Sequence, residues 1–194
     1  MAQKRKSDQT KLIAEAALSL ADKTGWDHLT FKDIAKKAKV KISDVEAQFS
    51  DVWEILKWVL KKLENDTKEA VEDHLGPDWR DNLAEILMMR FELAQAHRKA
   101  FASLVKSFAR HPQAAPRFAR GFYGMLDHSL KLAGLSKRLC QPVCIAGLGA
   151  VYLSLVDVWL KDDTPDLSRT MAAIDRRLDF FARALDALKR PKAS

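Results

Sequence analysis

The sequence has little punctuation. Seven glycines and six prolines are spread over 194 residues. No segment sustains the alternation of β-branched and aromatic residues that a strand needs, so sheet-based folds are excluded. Cysteine is nearly missing as well. Cys140 and Cys144 are four apart on a strongly apolar stretch and would share one helical face, the pattern of core packing in a reducing compartment rather than of a disulfide or metal site. No apolar run precedes the first helix in "MAQKRKSDQTKLI", so no signal peptide is expected and the chain is expected to be cytoplasmic. His28, His74, His97, His111 and His128 form no i, i+4 pair, and neither a glycine-rich phosphate loop nor a nucleophile motif occurs. Catalysis therefore has no support, and no cofactor is expected. Apolar residues (47%) and charged residues (30%) dominate instead, the balance of a soluble, all-α globular protein. The net charge of +7 favours an acidic partner, nucleic acid or an anionic membrane.

Periodicity supplies the helices. Leu12, Ile13, Ala16, Ala17, Leu20 and Ala21 define an amphipathic first helix that Gly25 ends. Thr30 can cap the amide of Asp33 at the start of a second helix whose inner stripe is Phe31, Ile34, Ala35 and Ala38. Ile42, Val45 and Phe49 support a short third helix, and Asp51 with Glu54 offers a cap for a long fourth one running to about residue 73. Gly76-Pro77 is the clearest break. Longer helices are expected beyond it, over 80–97, 99–110, 114–133, 137–161 and 168–188, with no fixed-period repeat. The expected organisation is a three-helix helix-turn-helix module at 1–55, a connecting helix at 56–76 and a larger helical domain at 77–194.

The stretch "IAEAALSLADKTGWDHLTFKDIAKKAKVKISDVEAQFSDVWEIL" (13–56) resembles the tetracycline-repressor (TetR) family of transcriptional regulators. Ala16-Ala17, Gly25, Thr30, Asp33-Ile34-Ala35, Ala38, Val40, Phe49 and Leu56 carry the resemblance. It implies a DNA-binding helix-turn-helix domain, an effector-binding helical domain and a homodimer. It also places Thr30, Lys32, Lys41, Ser43, Asp44 and Gln48 against double-stranded DNA, with Lys4, Arg5 and Lys6 on a flexible arm adding sequence-blind attraction. The departures fall on the reading surface: Lys39 stands where the family commonly has glycine, Glu46 where it has a phosphate-contacting tyrosine, and Val52 where it has lysine. An acid beside a phosphate is repelled, yet Asp or Glu can also accept from cytosine N4, so an acid here can be specific. Lys32, Lys36, Lys37, Lys39 and Lys41 either track a phosphate backbone or merely solvate an exposed face. A second resemblance, carried by Gly25-Trp26, the acidic third helix and "DLSRTMAAIDRRLDFFARAL" (166–185), is to the ubiquinone-biosynthesis lipid-binding proteins. These share the fold and bind an apolar ligand instead of DNA.

In the larger half, Met88, Phe91, Phe101, Phe108, Phe122, Tyr123 and Met125 are the candidate lining of a pocket for a small apolar effector; the alternative for the same residues is plain core. "LCQPVCIAGLGAVYLSLVDVWL" (139–160) is long enough for a membrane span, but Gln141, Pro142 and Asp157 interrupt it. No stable insertion is expected, and the segment reads as a helix buried on most sides, in the core or in a dimer interface. Gly147, Gly149 and Ala150 would admit a neighbouring helix. Met171, Ile174, Leu178, Phe181 and Leu185 form a near-heptad stripe suited to self-association through the last two helices.

Overall fold

The structure is a computed structural model that describes the backbone of residues 2–135 and 141–189 and the side chains of 7–135 and 142–188. Among the described residues the secondary structure is helical throughout. The α-helices are α1 (Ala2–Thr24), α2 (Phe31–Ala38), α3 (Ile42–Glu46), α4 (Val52–Val71), α5 (Trp79–Ala94), α6 (Arg98–Arg110), α7 (Pro116–Leu132), α8 (Gln141–Leu160) and α9 (Ser168–Lys189). Short 3-10 turns occupy Trp26–His28, Gln95–His97 and Pro112–Ala114.

Local chemistry sets most of the boundaries. Gly25 closes α1 at φ 83°, a conformation that disfavours any side chain. The Thr30 hydroxyl accepts from the Asp33 amide at 3.2 Å, and the Asp51 carboxylate accepts from the Glu54 amide at 2.9 Å. Both are N-caps that satisfy otherwise orphaned donors. α3 is shorter than its apolar spacing suggests. It ends at Glu46, and a turn then carries Phe49 into the core, with its amide donating to the Val45 carbonyl at 2.9 Å. α1 begins at Ala2, so the backbone of Lys4, Arg5 and Lys6 is helical rather than an arm; their side chains lie outside the described residues, as does Cys140. Cys144 is buried on α8.

The chain divides into two compact units. Unit 1 comprises residues 1–63 together with 94–118. Its core joins Ile13, Ala17, Ile34, Val45, Ile55 and Leu56 to Ala100 and Leu104. The expected break near residue 76 therefore does not coincide with the edge of this unit, which draws α6 from beyond it. The reason is a set of polar contacts with no local signature. The Trp26 indole donates to the Ala100 carbonyl at 3.0 Å, and Asp22 on α1 accepts from the Ala100 amide at 2.7 Å. That carboxylate caps α6, where negative charge suits the helix dipole, and it also contacts His97 Nδ1 at 2.7 Å.

Unit 2 comprises residues 64–93 and 119–194. α8 and α9 pack against each other, and Arg80 ties the start of α5 to α9 through Asp179, with Nη2 at 2.6 Å. Before α9, the buried Asp162 carboxylate collects the amide and hydroxyl of Thr170, each at 2.7 Å, and the amide and hydroxyl of Thr164 at 3.1 and 2.5 Å. Burial alone would raise its pKa, but these four donors outweigh it and hold the carboxyl at about 2.

Candidate functional site

α2, its turn and α3 present a basic surface on unit 1. Lys32, Lys36, Lys37, Lys39 and Lys41 are all exposed, and among the described residues none of them is ion-paired. The turn is closed by Lys39 in the left-handed region (φ 57°, ψ 38°), its amide donating back to Ala35 and Lys36. This is a position that favours glycine. Thr30, Lys32, Lys41 and Ser43 are exposed and could meet a phosphate or a base edge.

Asp44 and Gln48 are half-buried and engaged within the module. The Asp44 carboxylate accepts from Gln9 Nε2 at 3.1 Å and from the Lys41 amide at 3.3 Å. Gln48 accepts from the Thr10 hydroxyl at 2.5 Å and donates to Gln9 Oε1 at 3.2 Å. The two side chains therefore tie α3 and the turn that follows it to α1. The acid that looked incompatible with a phosphate-lined groove is largely consumed inside the module, where its hydrogen bonds orient the short helix. Gln9 and Thr10, which do this work, escaped the sequence reading because a contact across 35 or more residues leaves no periodic trace.

Other acids nearby are also engaged. Asp51 is bound by Arg117 at 2.8 Å. Burial would raise its carboxyl, but the Arg117 hydrogen bond and charge and the Glu54 amide hold it below the usual carboxylate range. Asp27 is pushed up by burial and pulled further down by hydrogen bonds from Ser107 and Arg110. The carboxylate of Glu46 is exposed and has no partner among the described residues.

The candidate effector lining is divided. Phe101 and Phe108 pack on the core of unit 1, where Phe108 stacks on Trp53 with ring centroids 5.9 Å apart. Met88, Phe91, Phe122, Tyr123 and Met125 belong to unit 2. There Phe91 is buried and stacks on Tyr152 at 5.7 Å and against Trp159 at 5.4 Å, while Phe122 meets Tyr152 at 5.8 Å. Met88 and Met125 are half-buried, and Tyr123 is 48% exposed on α7. Beside this aromatic group lies a residue that sequence reading missed: Arg90, 4% exposed, whose Nε has no hydrogen-bond partner.

The last two helices also differ from expectation. Ile174, Leu178, Phe181 and Leu185 are all buried within the protomer, so the near-heptad stripe is an intramolecular seam and only Met171 stays exposed. Gly147 serves that seam: a Cβ there would sit 2.9 Å from Phe181 Cε2. Gly149 admits Leu126 of α7, which a Cβ would meet at 3.2 Å. The open apolar surface lies on the opposite faces. It carries Val143, Ala146, Ala150 and Leu153 along α8 at helical spacing, with Phe180 and Leu188 exposed on α9. Over Pro142–Leu160 the mean hydropathy is 2.0, and only a third of that window is buried.

No family model matches the sequence, and no curated protein matches it either. Solved structures do match. A TetR transcriptional regulator from Nitrosomonas europaea ATCC 19718 superposes with a TM-score of 0.74 at 17% identity, covering 90% of this chain and 98% of that one. A TetR transcriptional regulator from Rhodococcus sp. RHA1 does so with a TM-score of 0.62 at 15% identity, over 95% and 99% of the two chains. The regulator FadR from Bacillus subtilis, solved in complex with stearoyl-CoA, has a TM-score of 0.62 at 16% identity over 88% and 96%. The fold is that of these TetR-type regulators, along nearly the whole length of each.

Proposed function

We propose that this chain is a dimeric, DNA-binding transcriptional regulator whose unit 1 reads duplex DNA through α2 and α3 and whose unit 2 responds to a small, largely apolar effector. The observation that carries the reading is the set of five unpaired lysines around the α2–α3 turn, combined with the withdrawal of Asp44 into hydrogen bonds with Gln9 and Lys41. A surface of this kind attracts phosphates without the repulsion that the bare sequence suggested. Thr30, Lys32, Lys41 and Ser43 would touch the duplex; Asp44 and Gln48 would act from behind, by orienting α3. The open face of α8 and α9 supports self-association, since a helix this apolar needs cover, and a two-fold dimer would set two reading heads on successive half-sites. Such a protein works in the cytoplasm, with no catalytic step.

Binding to duplex DNA fragments across a salt series tests the proposal. Affinity should fall steeply with salt, and replacing Lys36, Lys37 and Lys41 together by alanine should flatten the slope by about 0.9 for each phosphate contact removed. Negligible binding at low salt, with lipid co-purifying instead, would replace this reading by that of a lipid-binding protein of the same fold.

A further inference from the structure

Arg90 on α5 is an unusual group to find buried beside an aromatic cluster. Its side chain is almost wholly withdrawn from water, its neighbour Phe91 is stacked between Tyr152 and Trp159, and its Nε is sealed without an acceptor. Burial works against its charge, and only the fields of Tyr152 and Glu64 oppose that penalty. Guanidinium is nonetheless the cation least able to lose its proton. A buried charge of this kind destabilises a fold unless an anion with matching geometry completes it. The chemistry around it suits such an anion. Burial pushes the Tyr152 phenol above its ordinary range, so the group stays a protonated donor in the same unit as Arg90. The rings of Phe91, Phe122, Tyr152 and Trp159 offer apolar contact to whatever is attached to that anion.

We infer that the effector of unit 2 is an amphipathic acid, an apolar chain or ring bearing one anionic head, and that Arg90 is the residue that binds the head. This deepens the effector-responsive reading above and rests on it. A carboxylate and a phosphate present the same paired oxygens to a guanidinium, so either head fits the site, and the body provides the rest of the affinity. An apolar effector lacking charge would leave Arg90 as it is.

The test compares dodecanoate, dodecyl phosphate and dodecan-1-ol by titration calorimetry on the full-length protein. At least one of the two acids should bind tenfold or more tightly than the alcohol, and the tighter of the two identifies the head. Arg90→Met keeps the length and volume of the side chain while removing its charge, so it should fold at least as well. It should abolish the preference while changing dodecan-1-ol affinity less than twofold; Arg90→Lys should keep part of it. Arg177 of α9, half-buried and also carrying a sealed nitrogen without a partner, serves as the comparison, and Arg177→Met should leave the preference intact. Failure of both acids to bind, equal binding of acid and alcohol, or a preference that survives Arg90→Met overturns the inference. The salt-dependent binding of DNA by the ligand-free protein is measured separately, so losing one conclusion leaves the other standing.

Discussion

Replacing Leu153 by glutamate would attack the open face of α8 at its middle. The side chain is 62% exposed in the protomer. Burying a whole leucine contributes about 2 kcal/mol, so covering the exposed part contributes roughly 1.2 kcal/mol. A two-fold dimer contains the substitution twice, which brings the loss to about 2.5 kcal/mol. The two added carboxylates, desolvated near each other, increase it further. The dissociation constant of the dimer should therefore rise by a factor on the order of 50 or more. Sedimentation equilibrium across a dilution series reads this directly, and far-UV circular dichroism shows whether the helices survive. Val105 of α6, in unit 1, is 50% exposed, so Val105→Glu controls for the mere loss of a surface hydrophobe. A Leu153→Glu protein that stays as dimeric as the parent, or a Val105→Glu protein that dissociates equally, would refute the assignment of the face.

Lys39 sits in the left-handed region, so Lys39→Gly should stabilise the protein to urea by roughly 1 kcal/mol. Lys39→Ala, which removes the charge but keeps the backbone strain, should show no such gain; equal stability of the two would mean that the strain is not there. Asp162 titrates at about 2 when folded, against 3.8 for an ordinary aspartate. Because the folded value is the lower one, its contribution of about 2 kcal/mol is fully present above pH 4 and disappears as pH falls through 2. Asp162→Asn should be less stable than the parent at neutral pH, and the gap between the two unfolding curves should close on acidification over that interval; a gap independent of pH would assign the loss to something other than the charge.

The helix boundaries were legible because caps are local. Gly25, Thr30 with Asp33, and Asp51 with Glu54 each act within a few residues of the ends they define. With the exception of Leu12, which falls in the α1 stripe and is 55% exposed, the buried stripes of α1 and α2 were legible for the same reason, since a 3.6-residue period reports which side is covered. It does not report what covers it. The stripe through Ile174, Leu178, Phe181 and Leu185 has the spacing of an interface, and its partner turned out to be the protein's own interior. Phe101 and Phe108 were correctly apolar and belonged to a different core from Phe91 and Phe122. At the candidate reading surface, the family resemblance suggested contact with DNA for Asp44 and Gln48, and it gave no sign that their hydrogen bonds run to Gln9 and Thr10. Only a tertiary arrangement decides the direction of a short polar side chain. Arg90 was silent in the sequence because an arginine is ordinarily at the surface, although Ile86, Leu87, Met89, Phe91, Leu93 and Ala94 around it on the helix are all apolar.

Unit 1 of this protein is stitched from two lengths of chain, 1–63 and 94–118. A ribosome making it must therefore hold an unfinished unit, with the Trp26 indole and the small-residue face of α1 uncovered, until the stretch containing Ala100 and Leu104 has emerged. Grafting this unit onto another protein demands the same stretch, because a cut after the third helix would export a module without its lid.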